Sequence, residues 1–189
     1  ADQAIRIFQV GDGKLLKTLE GHTHHVLDVD WRSDGRILAS AGADNVIKVW
    51  NVDTGEQRRT IGGYSKQVTS LRFVGIGENC HLAFNDPPVA DFHDSQAVRV
   101  VELDGVCRQQ QVDDGCFARF EAVPERAITL TIPTLMAADA LFCAVPGARK
   151  RAAVKAALEG PISTDCPASI LRTHRNCTIY LDREAAPHG

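Results

Sequence analysis

The chain has 189 residues, of which 44% are hydrophobic and 24% charged, and its formal net charge is −3 at pH 7. This composition is typical of a folded globular protein and excludes an intrinsically disordered chain. Lys and Arg form no long basic run, so we expect no nucleic-acid partner. No apolar stretch approaches the roughly 20 residues of a spanning helix, and the first residues do not resemble a signal peptide. We therefore expect no membrane partner and a cytoplasmic location.

The first feature along the chain is a repeat. Asp2 and Phe8 recur 42 positions later as Asp44 and Trp50. Further pairs at this spacing are Gly13 and Gly55, Thr18 and Thr60, Val26 and Val68, and Trp31 and Phe73. A period of this length, with alternating apolar residues and turn residues between them, predicts propeller blades of four short antiparallel strands.

The most complete copy of the repeat begins at Gly21-His22, continues through alternating apolar residues at 26–31, and ends at Trp50-Asn51. It resembles a WD-repeat unit, and the resemblance covers residues 1–73. In that family a His, a Ser, an Asp and a Trp form a structural hydrogen-bonded network within one blade. The resemblance implies this network at His22, Ser40, Asp44 and Trp50.

The WD-like part contains one complete blade with fragments on either side. A closed propeller takes at least about four blades, so we expect an incomplete propeller in residues 1–73. Open strand edges and apolar faces favour a protein partner or self-association through this fragment.

Beyond Val74 the pattern changes from evenly spaced strands to strands alternating with helices. Apolar runs predict strands at 71–74, 141–145 and 177–181, and helical spacing predicts helices at 148–159 and 168–173. This order predicts a Rossmann-like α/β half-domain with a parallel sheet, in which ligands bind at the carboxyl ends of the strands. The fold class is therefore mixed: an antiparallel β fragment at 1–73, then an α/β half-domain at 74–189.

Residues 75–88 read Gly-Ile-Gly-Glu-Asn-Cys-His-Leu-Ala-Phe-Asn-Asp-Pro-Pro. Together with residues 107–111, 123–132 and 146–160, in that order, this stretch resembles the glucosamine-6-phosphate deaminase family, near relatives of the 6-phosphogluconolactonases. The resemblance implies conversion of a sugar-phosphate substrate, glucosamine 6-phosphate, to a keto-sugar phosphate and ammonia. It implies no cofactor and no metal.

The resemblance also implies roles for individual residues. His81 would open the sugar ring by proton transfer, Asp86 would orient this histidine, and Asn79 would assist. Arg108 and Lys150 would bind the substrate phosphate. The residues alone leave alternatives open: a structural histidine, a turn at Asp86, and solvated charges at the two cations.

Six cysteines are scattered along the second part, with no C-x-x-C pair and no histidine at metal-ligand spacing. We therefore expect no zinc site. Cys143 and Cys177 lie in apolar runs and are expected to be reduced core residues.

Two departures from the family pattern affect the expected activity. Cys80 stands where the family generally has a glycine before the histidine, and a side chain there strains the loop if φ is positive. The family's N-terminal half, with a phosphate loop and the aspartate that takes the C2 proton, is not found in residues 1–73. We expect a chimera whose deaminase activity is incomplete, weak or absent. The alternatives are a WD-repeat interaction module and a chain without activity of its own.

Overall fold

The computed structural model describes residues 2–32 and 35–187. The chain divides into two compact units, Ala1–Phe73 and Val74–Gly189. Among the described residues no helix has the length and apolar character needed to cross a bilayer.

The first unit is built from antiparallel strands. They are β1 (Ala4–Phe8), β2 (Leu15–Glu20), β3 (Val26–Trp31), β4 (Ile37–Gly42), β5 (Ile47–Asn51) and β6 (Gln57–Ile61). β1 pairs with β2, and β3 to β6 form a four-stranded sheet in chain order. The expected antiparallel architecture of this part is confirmed.

β4 lies inside the four-stranded sheet, and all six of its residues are buried. The turn that follows it places Asn45 at φ 61°, which an asparagine tolerates better than most residues. Ile5, Leu19, Leu38 and Trp50 form one buried apolar cluster of this unit.

The second unit combines strands with helices. After β7 (Leu71–Val74), at the boundary of the units, come β8 (Val98–Glu102), α1 (Gly105–Asp113), β9 (Arg126–Leu130), α2 (Ile132–Met136), β10 (Ala140–Val145), α3 (Arg151–Glu159) and β11 (Cys177–Leu181). Short 3₁₀ turns cover Pro87–Val89, Phe120–Ala122, Ala148–Lys150 and Pro167–Thr173. β10 and β11 are parallel, with Leu141 opposite Cys177, in a sheet of order β11–β10–β7.

The predicted strands at 71–74, 141–145 and 177–181 and the parallel pairing are confirmed. The helix at 148–159 is also confirmed, although its first turn is 3₁₀. The segment at 168–173 differs from the prediction, because it is a 3₁₀ turn that starts at Pro167.

The antiparallel pairing of β8 with β9 was not predicted. Val98, Val100 and Ile128 lie on one face of this pair and are exposed. α1 lies between these two strands in the sequence. A local sequence pattern does not reveal the pairing of strands that are this far apart along the chain.

The main core of the second unit lies between α3 and the sheet. Ala153, Val154 and Ala157 share the inward face of α3 and pack with Leu141 and Cys143 of β10. The loop that follows β7 joins this core through Ile76, Cys80 and Leu82. The core therefore fixes the loop that carries the histidine motif.

Candidate active site

The histidine motif forms a tight loop after β7. The amide of Gly77 donates to the carbonyl of His81 at 3.0 Å, and the amide of Cys80 donates to the carbonyl of Gly77 at 3.0 Å. Cys80 adopts φ 66°, the left-handed conformation that a glycine would adopt without strain. This turn directs the His81 side chain inward, where only 8% of it is exposed.

Position 77 must be a glycine, because the imidazole ring of His81 lies where a side chain would begin. A Cβ atom on Gly77 would overlap the His81 ring, whereas one on Gly75 would meet its nearest neighbour, the Ala144 carbonyl, at 3.6 Å. The two glycines of the motif thus differ in the room that they leave for a side chain.

The Nδ1 atom of His81 lies 3.1 Å from an Asp86 carboxylate oxygen. The two groups are poorly aligned, and Nδ1 forms no hydrogen bond with the described residues. We regard the contact as electrostatic, since the distance is short and the angle is not that of a hydrogen bond. The pair is nevertheless close enough for Asp86 to orient and stabilise a charged imidazole.

Asp86 is fully buried and accepts two hydrogen bonds, from Asn79 Nδ2 at 3.1 Å and from the Asp104 amide at 3.1 Å. Burial alone would raise the pKa of this carboxyl. His81, the Asp104 amide and Asn79 outweigh burial and hold the pKa of Asp86 below its usual value. The group is therefore an ionised carboxylate at neutral pH.

Asn79 connects the loop to α1. Its Nδ2 also donates to Asp104 Oδ2 at 2.7 Å, and its Oδ1 accepts from the His81 amide at 3.2 Å. Asn79 thus contacts the backbone of His81 and the carboxylate of Asp86, and the described hydrogen bonds do not join it to the imidazole ring.

Asp104 and Cys107 belong to the same cluster, although sequence reasoning singled out neither. Asp104 caps α1 by accepting from the Cys107 amide at 2.7 Å. Burial, followed by the carboxylates of Asp86 and Asp104, raises the pKa of the Cys107 thiol to about 12. An aspartate before a helix is a capping signal that the sequence does contain, but the place of the cap beside His81 depends on tertiary packing.

Lys150 is buried at the start of α3 and faces the histidine motif. Its Nζ lies 3.9 Å from Glu78 Oε1 and 3.9 Å from Asp114 Oδ2, both beyond hydrogen-bond length. Burial lowers the pKa of Lys150, and the carboxylates of Asp114 and Glu78 oppose that change. Arg149 competes for the same carboxylates, at 3.4 Å from Glu78 and 3.0 Å from Asp114.

Arg108 packs against the turn that follows α1. One guanidinium nitrogen donates to the carbonyls of Phe120 at 3.3 Å and Val123 at 3.0 Å, and the group lies 4.2 Å from the centre of the Phe120 ring. Its Nε is buried and forms no hydrogen bond with the described residues. These contacts hold the 3₁₀ turn in place.

In the first unit, hydrogen bonds join the four residues of the WD-like network. His22 Nδ1 lies 2.9 Å from Asp44, His22 Nε2 lies 2.7 Å from Ser40 Oγ, and Trp50 Nε1 donates to the same hydroxyl at 2.8 Å. Burial would raise the pKa of Asp44, but the Thr23 amide and His22 lower it. The network satisfies ring nitrogens that the sheet takes out of water.

Two sequence families match the chain in succession. The family described as WD domain, G-beta repeat matches residues 13–51. The family described as Glucosamine-6-phosphate isomerases/6-phosphogluconolactonase matches residues 65–180.

Individual relatives agree with the second match. A glucosamine-6-phosphate deaminase of Exiguobacterium sibiricum is 36% identical over 116 residues, which are 61% of this chain and 44% of the relative. Glucosamine-6-phosphate deaminase 1 of Bacillus subtilis is 34% identical over 118 residues, 62% of this chain and 47% of the relative. The chain thus spans about half the length of the curated relatives that it matches.

A solved structure described as a monomeric glucosamine-6-phosphate deaminase superposes with a TM-score of 0.57 at 36% identity, covering 62% of this chain and 46% of that chain. Its likeness agrees with the α/β fold of the second unit. Because the family match at residues 65–180 takes in more than half of the sequence, the chain belongs to the family Glucosamine-6-phosphate isomerases/6-phosphogluconolactonase.

Proposed function

We propose that the second unit carries the ring-opening half of an amino-sugar phosphate isomerase-deaminase site and binds glucosamine 6-phosphate. The observation that carries the proposal is the buried approach of His81 to Asp86 at 3.1 Å, in the loop after β7. Ring opening needs a group that moves a proton between the ring oxygen and the C1 hydroxyl, and imidazole performs such transfers near neutral pH. Asp86 stabilises the charged form of that imidazole, and Asn79 positions Asp86.

We assign the substrate phosphate to Lys150, with Arg108 as a second ligand implied by the family resemblance. Lys150 supports this assignment because its side chain is buried. The carboxylates of Glu78 and Asp114 both lie 3.9 Å from its Nζ, which is beyond hydrogen-bond length. A phosphate dianion would form shorter charge-assisted hydrogen bonds with this ammonium once Glu78 and Asp114 turn away from it. Arg108 is already held by two carbonyls, so it contributes less than Lys150.

Deamination itself is expected to be weak or absent. In the family the C2 proton is taken by an aspartate of the N-terminal half, and the corresponding part of this chain matches a WD repeat at residues 13–51. Loss of a general base costs about 10²- to 10⁴-fold in rate. We accordingly propose a fusion in which residues 1–73 are a WD-repeat-like fragment and residues 74–189 are the C-terminal half of a deaminase-like domain.

Ring opening can be measured separately from deamination. Exchange between the α and β anomers of glucosamine 6-phosphate requires ring opening alone and is observable by NMR exchange spectroscopy. The wild-type chain should accelerate this exchange, and His81→Gln should abolish the acceleration. His93→Gln, which alters an exposed histidine of the same unit, is the matched control and should behave as wild type.

Equal exchange rates for wild type and His81→Gln would overturn the assignment of ring opening to His81. An assay of ammonia release under the same conditions tests the second half of the proposal. Ammonia release by the wild type at the rate of an ordinary enzyme, with a turnover of about 10 s⁻¹, would contradict the missing base.

A second function is favoured by the surface of the first unit. Leu27, Val29 and Trp31 alternate along β3 and are each about 40% exposed, on an edge strand of the four-stranded sheet. We propose that this sheet is a single blade of the WD-propeller type and that the apolar face formed by these three side chains mediates association with a protein. Light scattering of the full chain over a concentration series should show self-association that Val29→Lys reduces. A monomer at every concentration that also retains no partner in a pull-down would contradict this function.

A further inference from the structure

Gln110 is a buried amide that joins the histidine loop to the end of α1. Cys107 and Gln110 are the buried residues of α1 and lie three positions apart on its inward face. The Oε1 atom of Gln110 accepts from the Glu78 amide at 3.0 Å, and its Nε2 atom donates to Asp114 Oδ2 at 3.2 Å. Glu78 belongs to the loop that carries His81, and Asp114 is the C-cap residue of α1. One side chain therefore fixes parts of two elements.

A glutamine suits this position because its two partners differ. The Glu78 amide needs an acceptor and the Asp114 carboxylate needs a donor, and a side-chain amide supplies one of each. A glutamate would place a second carboxylate against Asp114. An apolar side chain would leave a buried amide unpaired, which is costly. These contacts thus determine both the residue type and the orientation of its amide.

Both oxygens of the Asp114 carboxylate are occupied. Oδ2 accepts from Gln110 Nε2, and Oδ1 accepts from Arg149 Nη2 at 3.0 Å. The carboxylate consequently lies 3.9 Å from Lys150 Nζ and forms no hydrogen bond with it. Glu78 Oε1 lies at the same distance from this ammonium, and Gln110 holds the backbone of Glu78.

This spacing affects the charge of Lys150. Burial is the largest influence on the pKa of Lys150 and lowers it, and Arg149 acts in the same direction. Asp114, Glu78 and the Cys107 thiol oppose that change. Coulomb attraction acts at 3.9 Å without a hydrogen bond. The two acids can therefore favour the charged ammonium and still leave its N–H groups to a phosphate.

We propose that Gln110 is a positioning residue for the phosphate side of the site: its two hydrogen bonds hold Asp114 and the Glu78 backbone so that neither acid pairs with Lys150. Phosphate binding requires both acids to turn away from Lys150. Without Gln110, Asp114 would turn toward the ammonium and compete with the phosphate. The effect on phosphate rests on the proposed function, whereas the restraint of Asp114 does not.

The restraint can be measured without sugar phosphate. Methionine at position 110 keeps the length of the side chain and its helix propensity but makes neither hydrogen bond. An NMR titration of the Lys150 side chain in the full chain should reach its midpoint at higher pH in Gln110→Met than in the wild type, because a contacting carboxylate favours the charged form. Gln109→Met, which alters the exposed neighbour on the same helix, should titrate as wild type.

The effect on the substrate is tested by a double-mutant cycle. Calorimetric binding of glucosamine 6-phosphate should weaken by at least about fivefold in Gln110→Met, the equivalent of one net hydrogen bond. In the Asp114→Asn background the same substitution should change the affinity by less than about twofold, since the competing charge is gone. A merely structural role of Gln110 would instead weaken binding equally in both backgrounds.

An unchanged Lys150 titration in Gln110→Met, or equal losses of affinity in the two backgrounds, would overturn the positioning role. Hydrogen exchange of the wild-type chain requires no variant and remains decisive if Gln110→Met does not fold. The Glu78 amide should be protected from exchange, and rapid exchange there would also overturn the role. A wild type that binds no glucosamine 6-phosphate would overturn the proposed function alone, because the titration and the exchange measurement do not depend on it.

Discussion

His81 and Asp86 approach to 3.1 Å inside the second unit although neither lies in a helix or strand. Their positions follow from a turn at Cys80 with positive φ and from two hydrogen bonds that hold the carboxylate. The pair is therefore positioned by the loop's own backbone and by the start of α1. Substitutions that alter this loop or the start of α1 should therefore move the two side chains.

Gly77→Ala should displace the His81 imidazole, because the added methyl group would overlap the ring. We expect the ring resonances of His81 to shift and the anomer exchange described above to be lost. Gly75→Ala is the matched control, since its methyl group meets only an ordinary contact at 3.6 Å. Identical His81 spectra for the two variants would show that the packing around Gly77 is wrong.

Asp86→Asn should reduce the stability of the second unit at neutral pH and flatten its acid dependence. The folded pKa of Asp86 is lowered, so the wild-type carboxylate contributes stability above its unfolded pKa of about 3.9. That contribution is lost as pH falls through the lower folded pKa. The difference in free energy of unfolding between wild type and Asp86→Asn should therefore shrink below about pH 4.

Urea unfolding followed by the helical circular-dichroism signal measures this difference, since the described α-helices all lie in the second unit. Asp165→Asn, an exposed substitution in that unit, should cause little change at any pH. A constant difference between wild type and Asp86→Asn down to about pH 2 would argue against the lowered pKa.

Lys150→Met should weaken the binding of glucosamine 6-phosphate by at least about tenfold, because it removes a buried charge and leaves the apolar stem. Isothermal titration calorimetry measures the loss. Lys155→Met removes an exposed ammonium from α3, the helix that follows Lys150, and should bind as wild type. Equal losses in both variants would indicate only a general electrostatic effect.

Ser40→Ala should destabilise the first unit by about 2 to 4 kcal/mol, because two buried ring nitrogens, on His22 and Trp50, lose their common partner. Tryptophan fluorescence reports on this unit alone, since Trp31 and Trp50 both lie within it. The exposed substitution Ser65→Ala should change stability by less than about 0.5 kcal/mol. A neutral Ser40→Ala would show that the network contributes little.

Local patterns predicted the strands at 141–145 and 177–181, because a short apolar run bounded by breakers has few alternatives. Motif resemblance placed His81 and Asp86 in one loop. The approach of Cys107 to that loop could not be predicted, since it depends on how α1 packs. The position of Arg108 against Phe120 likewise depends on a 3₁₀ turn twelve residues further along the chain.

The most direct test of the proposed site is a titration of the full chain with glucosamine 6-phosphate, observed by NMR at the His81 ring and the Lys150 ammonium. We predict saturable shifts at both groups with a single dissociation constant, and unchanged signals at His93 and Lys155. No shift at His81 and Lys150, or equal shifts at all four groups, would contradict a sugar-phosphate site in the second unit.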